Sequence, residues 1–281
     1  MRCIALCAVL AVSAAAGPAS RPAMPDRCER LAEAWRGRFE KEKLAWAVSP
    51  PFVVAGDGGH ARVKGVLERT ILPARRALSA KFFKTPPEEP ILILLFEGEG
   101  TYRRLARDWL GDRDVPHYGY FRRDNVMVMN LATGTGTLVH ELVHALIRSD
   151  FPVVPSWFNE GMGSLFEQCR FGGENDIRGL TNWRLPALQN AIREGKLRPL
   201  EEMIEDPAFY GPNQGLNYAQ ARYVLLYLQE KGLLEGYYKA FRGSVEDDPT
   251  GLITLKKVLN VRKLNDFDAE WRQWVLSLHF P

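Results

Sequence analysis

Apolar residues in this 281-residue chain change their spacing near residue 134. Before that point, short apolar runs alternate with amphipathic stretches. "PILILLF" (90–96) is continuous, rich in β-branched residues and short, which predicts a buried strand. "WAVSPPFVVAG" predicts a second short strand, and "GYFRRDNVMVMNL" (119–131) predicts a hairpin: strand, polar turn at Arg123-Asp124-Asn125, strand. Helical spacing covers 28–45, 60–83 (despite Pro73) and about 100–109. Beyond 134 the spacing is helical at 135–149, 156–170, 183–195, 216–231, 234–242, 250–259 and 265–278. Pro152, Pro155, Gly172-Gly173, Pro212 and Pro249 punctuate these runs. The expected class is α+β: a small mixed sheet with an edge hairpin, packed on helix 135–149 and followed by an all-helical C-terminal subdomain. The expected divisions are a signal peptide at 1–19, a linker at 20–27, an α/β N-terminal subdomain at 28–134 and a helical subdomain at 135–281. Residues 28–281 are expected to form one unit.

The first twenty residues, "MRCIALCAVLAVSAAAGPAS", stand outside this pattern. One arginine, an apolar run and small residues spaced Ala-x-Ala read as a secretory signal peptide, with cleavage after Ala16 or Ala19. The run is too short and alanine-rich for a convincing membrane anchor. The mature chain is therefore expected to be exported, periplasmic or extracellular, with no membrane span. Cys3 and Cys7 leave with the signal. Cys28 and Cys169 remain, as a disulfide in an oxidising compartment or as two buried thiols. A composition of 46% hydrophobic and 25% charged residues with a net charge of +3 is ordinary for a globular protein. No basic run is interleaved with aromatics, so no nucleic-acid partner is expected.

Chemistry concentrates in "LVHELVHAL" (138–146), which holds two of the chain's five histidines. On a helix starting at Leu138, Leu142, Leu146, Val139 and Val143 span about 40° to 140°. His140 and His144 fall at about 200° and 240°, with Glu141 at about 300° beside them. One face packs and the other carries a narrow polar strip. Histidines at i and i+4 can share one metal ion, while the glutamate between them reaches a water instead. The chain then breaks at "SDFPVVPS" and resumes as "WFNEGMGSLFEQC". There Phe158, Met162, Leu165 and Cys169 share an apolar arc, with Glu160 opposite, flanked by Gly163 and Ser164. Small residues beside a carboxylate let two backbones approach, as a shared metal requires. His140, His144 and Glu160 would leave a fourth tetrahedral position open, a catalytic arrangement for one Zn²⁺.

"HELVH" followed by "WFNEGMGSLFE" resembles the gluzincin metallopeptidases, in particular the peptidase MA-like domains related to thermolysin-type and aminopeptidase-type enzymes. The resemblance spans about 90–280 and is most specific over 137–167. It implies a thermolysin- or aminopeptidase-like catalytic fold and a peptide or protein substrate. "LNYAQARYVLLYLQEKG" resembles the helix of the aminopeptidase-like branch whose opening tyrosine faces the zinc. That match makes Tyr218 the tyrosine that stabilises the transition state. Periodicity also favours Tyr218 over Tyr223 and Tyr227, which fall away from the apolar face of Ala221, Val224, Leu225 and Leu228. Aminopeptidase-like members carry a Gly-x-Met-Glu-Asn stretch whose glutamate holds the substrate's free amine. The 119–131 segment has no such glutamate, which favours an endopeptidase.

The expected chemistry assigns Glu141 as general base, zinc to the three ligands, and oxyanion stabilisation to zinc and Tyr218. Backbone pairing along Val126, Met127, Val128, Met129 and Asn130 is expected to align the substrate. The alternative is a catalytically retired zinc-binding, protein-binding or cell-wall-binding module. Intact Glu141, which serves catalysis and not folding, favours the enzyme.

Overall fold

The computed structural model describes residues 21–280. The segment 1–19 expected to be a signal peptide, with Cys3 and Cys7, lies outside the described residues. The first half comprises α1 (Met24–Lys41), β1 (Ala45–Ser49), β2 (Phe52–Gly56), α2 (Gly59–Val66), α3 (Leu72–Lys81), β3 (Ile91–Phe96), α4 (Glu99–Leu110), β4 (Gly119–Phe121) and β5 (Val126–Asn130). The second comprises α5 (Gly136–Asp150), α6 (Ser156–Glu167), β6 (Cys169–Phe171), β7 (Ile177–Gly179), α7 (Leu185–Arg193), α8 (Leu200–Glu205), α9 (Gln214–Glu230), α10 (Leu234–Ser244), α11 (Leu252–Leu259) and α12 (Leu264–Ser277). The class is α+β.

Five strands form a mixed sheet in the order β1-β2-β3-β5-β4. The central pairs β2–β3 and β3–β5 are parallel, and the outer pairs β1–β2 and β4–β5 are antiparallel. Strand side chains alternate between faces. Phe52, Val54, Ile93, Leu95, Met127 and Met129 therefore face the larger core, which continues through α5, α6 and α9. Val53, Ala55, Leu92, Leu94, Phe96, Val126 and Val128 face the other way, against α1 and α4. Helices cover both faces, which is why "ILILLF" is apolar without alternation. Burying each such side chain contributes roughly 1.5–3 kcal/mol. Because the larger core runs from β1 to α12, the two halves are fused by one apolar interior.

Several expectations shift. The linker is shorter than expected, because α1 begins at Met24, with Pro25 in its first turn where a missing N–H costs nothing. "WAVSPPFVVAG" is two antiparallel strands, with Pro50-Pro51 forming the turn between them. The 60–83 helix is real but contains a π-helical turn at Leu67–Ile71. Pro73 removes the N–H that would bond the Arg69 carbonyl and crowds that oxygen, which accounts for the widening. The second half is not purely helical: α6 ends at Glu167, and β6 pairs with β7 across Gly172-Gly173. A short helix, α8, occupies a segment read as connection. Cys28 and Cys169 are not bridged. Cys28 lies in the cluster beneath α1 and Cys169 packs against the opposite core, so the sheet separates them. Burial raises both thiols, Cys169 to about 11. No described helix is long and apolar enough to cross a membrane.

The end of α5 is pinned by a buried carboxylate. Asp150 accepts hydrogen bonds from the Lys84 and Thr85 amides at 2.9 and 2.7 Å and from the Tyr238 hydroxyl at 2.6 Å. These bonds tie the histidine-bearing helix to the α3–β3 loop and to α10, which fixes its direction across the sheet.

Candidate metal centre and cleft

α5 buries Leu138, Val139, Leu142, Val143 and Leu146 on the face expected from their spacing. His140, 8% exposed, projects toward α6, where Glu160 is 7% exposed. The two helices come this close because α6 has no side chain at Gly163. A Cβ there would stand 2.8 Å from His140 Nε2 and 2.9 Å from its Cδ2. Gly161, two positions earlier, admits α9: a Cβ would meet Leu225 Cδ1 at 2.9 Å. The glycines of "NEGMGS" are thus the sites of two helix approaches.

The expected donors converge. His140 Nε2 lies 3.2 Å and His144 Nε2 3.4 Å from Glu160 Oε2. One donor atom from each of the three residues falls within 4.8 Å of the others. Zn–N and Zn–O bonds of about 2.0–2.1 Å at the tetrahedral angle separate neighbouring donors by about 3.3 Å. The His140–Glu160 and His144–Glu160 separations are compatible with that edge, so the chemistry and spacing of the three residues are those of a group able to hold a metal ion. Further contacts orient the donors. His144 Nδ1 meets Asn159 Oδ1 at 3.0 Å, which turns Nε2 toward the cluster. The Tyr210 hydroxyl donates to Glu160 Oε1 at 2.8 Å, leaving Oε2 to the histidines.

Electrostatics separates the two glutamates. Burial pushes the Glu141 carboxyl up, with His144 and His140 opposing. Burial acts in the same sense on Glu160, but hydrogen bonds with His140 and His144 outweigh it and hold that carboxyl well below the usual range. For His144 burial works downward, and Glu160 prevails, lifting the imidazole to about 9. A metal taking this place displaces that proton.

A cleft of about 500 Å³ opens beside the donors, lined by His140, Glu141, Tyr218, Arg184 and Gly119 among others. Burial and then the nearby Glu160 carboxylate raise the Tyr218 phenol. The Arg184 guanidinium sits 4.0 Å from the centre of the Trp183 ring and 5.3 Å from that of Tyr218. Its Nη2 also donates to Glu167 Oε2 at 3.2 Å.

The segment Val126–Asn130 does not serve as a substrate strand. It lies between β3 and β4, wholly buried, with both ladders occupied. The parallel crossover through α4 places β5 inside and leaves β4 at the edge, where Gly119 reaches the cleft. Asn130 is structural: its Nδ2 donates to the His117 carbonyl at 2.8 Å. His117 itself pairs with Glu99 at 3.2 Å, away from the donor set. Tyr223 and Tyr227 are buried, because α9 is enclosed on nearly every side rather than apolar on one face. They bond to Asn182 and Glu270 and take no part in the centre. Asn159, Tyr210 and Arg184 were missed in the sequence. Only Asn159 carried a signal, its position beside Glu160.

Compared with known families and characterised proteins, the chain matches no family model and no curated protein.

Gly163→Ala is expected to lower zinc affinity by about 10–100-fold, the usual cost of disturbing a ligand's support. Alanine favours the helix by up to about 1 kcal/mol, so the change should not unfold α6. Zinc titration against a chromophoric chelator measures this, and unchanged affinity would mean that the His140 ring has room to move.

Proposed function

We propose that the chain is an exported zinc-dependent peptidase, related to the gluzincins, that cleaves peptide bonds within chains. The observation that carries this reading is the match between the His140–Glu160 and His144–Glu160 separations, 3.2 and 3.4 Å, and the edge of a tetrahedral zinc site. Glu141 and Tyr218 lining the adjoining cleft support it. The "CIALCAVLAV" run and the small residues after it support export.

His140, His144 and Glu160 would hold the ion. Zinc bound there would supply a Lewis acid and bring a water closer to ionisation at neutral pH. Glu141, next to a donor but not in the donor set, accepts the attacking water's proton and passes it to the leaving amine. Its raised proton affinity suits that role, while the lowered affinity of Glu160 suits a ligand. The Tyr218 hydroxyl donates to the carbonyl oxygen as that oxygen gains charge. The free edge of β4 aligns the substrate backbone by strand addition. A retired module that binds zinc or protein is the second reading, and the retention of Glu141 beside the donors weighs against it.

The test is a mixed peptide library incubated with zinc-loaded protein, with and without chelator. Internal cleavage is expected, abolished by chelation, and peptides with blocked N-termini should be cut at least as fast as free ones. Cleavage confined to free N-terminal residues would instead indicate an aminopeptidase.

A further inference from the structure

Beside the metal cleft lies a second groove of about 560 Å³. It runs past the start of α5 between the 133–137 loop, the π-helical turn and the β6 strand. Tyr118, Thr137, Glu167 and Trp183 line both spaces, so the two adjoin along these residues. Tyr118 and Trp183 are 51% and 53% exposed, and both stand where the two spaces adjoin.

At the far end are Arg69 and Thr70, carried by the π-helical turn. π-turns inside helices re-aim side chains and recur at functional sites. Glu167 is held by Arg184 at 3.2 Å. Arg69, the other charged residue lining the groove, is exposed and forms no ion pair among the described residues.

We propose that this groove carries one flank of a peptide substrate, and that Arg69 selects an acidic side chain on that flank. The inference rests on the peptidase reading for the identity of the occupant. Adjacency to the metal cleft gives the path, the exposed rings give a surface for the backbone to lie against, and the uncompensated guanidinium gives the charge preference. The substrate class is then narrower than any peptide: chains extended on one side of the scissile bond, with Glu or Asp a few residues away.

The test uses zinc-loaded Glu141→Gln protein and fluorescein-labelled peptides that place Glu, Gln or Lys at each position around a fixed core. Binding is read by anisotropy. Glu should be favoured over Lys at one outlying position by about tenfold in Kd. Arg69→Gln should remove that preference, Arg69→Glu should reverse it, and Arg69→Lys should retain it. A preference indifferent to Arg69, or none at any position, overturns the proposal. The same peptides are offered to the wild-type enzyme. Cleavage without flank preference would defeat the groove and leave the peptidase standing. Arg69-dependent binding without cleavage would do the reverse.

Discussion

Glu141→Gln is expected to lower hydrolysis by about 10²–10⁴-fold, the range a positioned general base contributes, while zinc content and fold stay unchanged. Glutamine has nearly the same shape and fills the same half-buried position on α5. It cannot take a proton from water. The change also removes a carboxylate that burial already makes costly to ionise, so folding stability should hold or rise slightly. Stopped assays over a range of enzyme concentrations, with elemental analysis of the same samples, provide the comparison. Near wild-type turnover in a zinc-loaded variant would remove Glu141 from the chemistry.

Tyr218→Phe carries the next largest effect, because two tyrosines compete for the role. An oxyanion donor makes its hydrogen bond mainly in the transition state. Its loss should cut kcat by about 10²–10³-fold and leave KM and zinc content near wild type. Tyr210 is bonded to Glu160 Oε1 at 2.8 Å and is expected to act through that ligand. Tyr210→Phe should therefore weaken zinc retention, with turnover per bound zinc much less affected. Tyr223→Phe, which disturbs the buried bonding of that hydroxyl to Asn182 away from the centre, should cost about 1 kcal/mol of stability. If Tyr210→Phe instead lost turnover at full zinc occupancy, the oxyanion role would belong to Tyr210. Equal mild effects at Tyr210 and Tyr218 would leave it with neither.

The clustering of His140, His144 and Glu160 was legible in the sequence because local geometry governs it. The i and i+4 spacing puts His140 and His144 on one strip of any helix, and the proline-broken loop brings a second helix back beside the first. Gly163 and Ser164 beside Glu160 announced a close approach, and Gly163 under His140 is that approach. What depended on chain path was hidden. Which strand of the 119–131 hairpin is the edge follows from the β3–α4–β5 crossover, and strand pattern alone says nothing of sheet order. Cys169 fits the helical periodicity of α6, so the turn into β6 could not be seen. Tyr210 sits in a loop eight residues before Tyr218 with no period to mark it. The separation of Cys28 from Cys169 is a property of the packed sheet.

The central claim is that His140, His144 and Glu160 hold one zinc ion. Elemental analysis of purified wild-type protein beside Glu160→Gln, both dialysed against the same low free zinc, tests it most directly. The expected result is about one zinc per chain in the wild type and clearly less in the variant, since a neutral amide is the poorer ligand. No zinc in the wild type, or equal zinc in the two proteins, would contradict the claim.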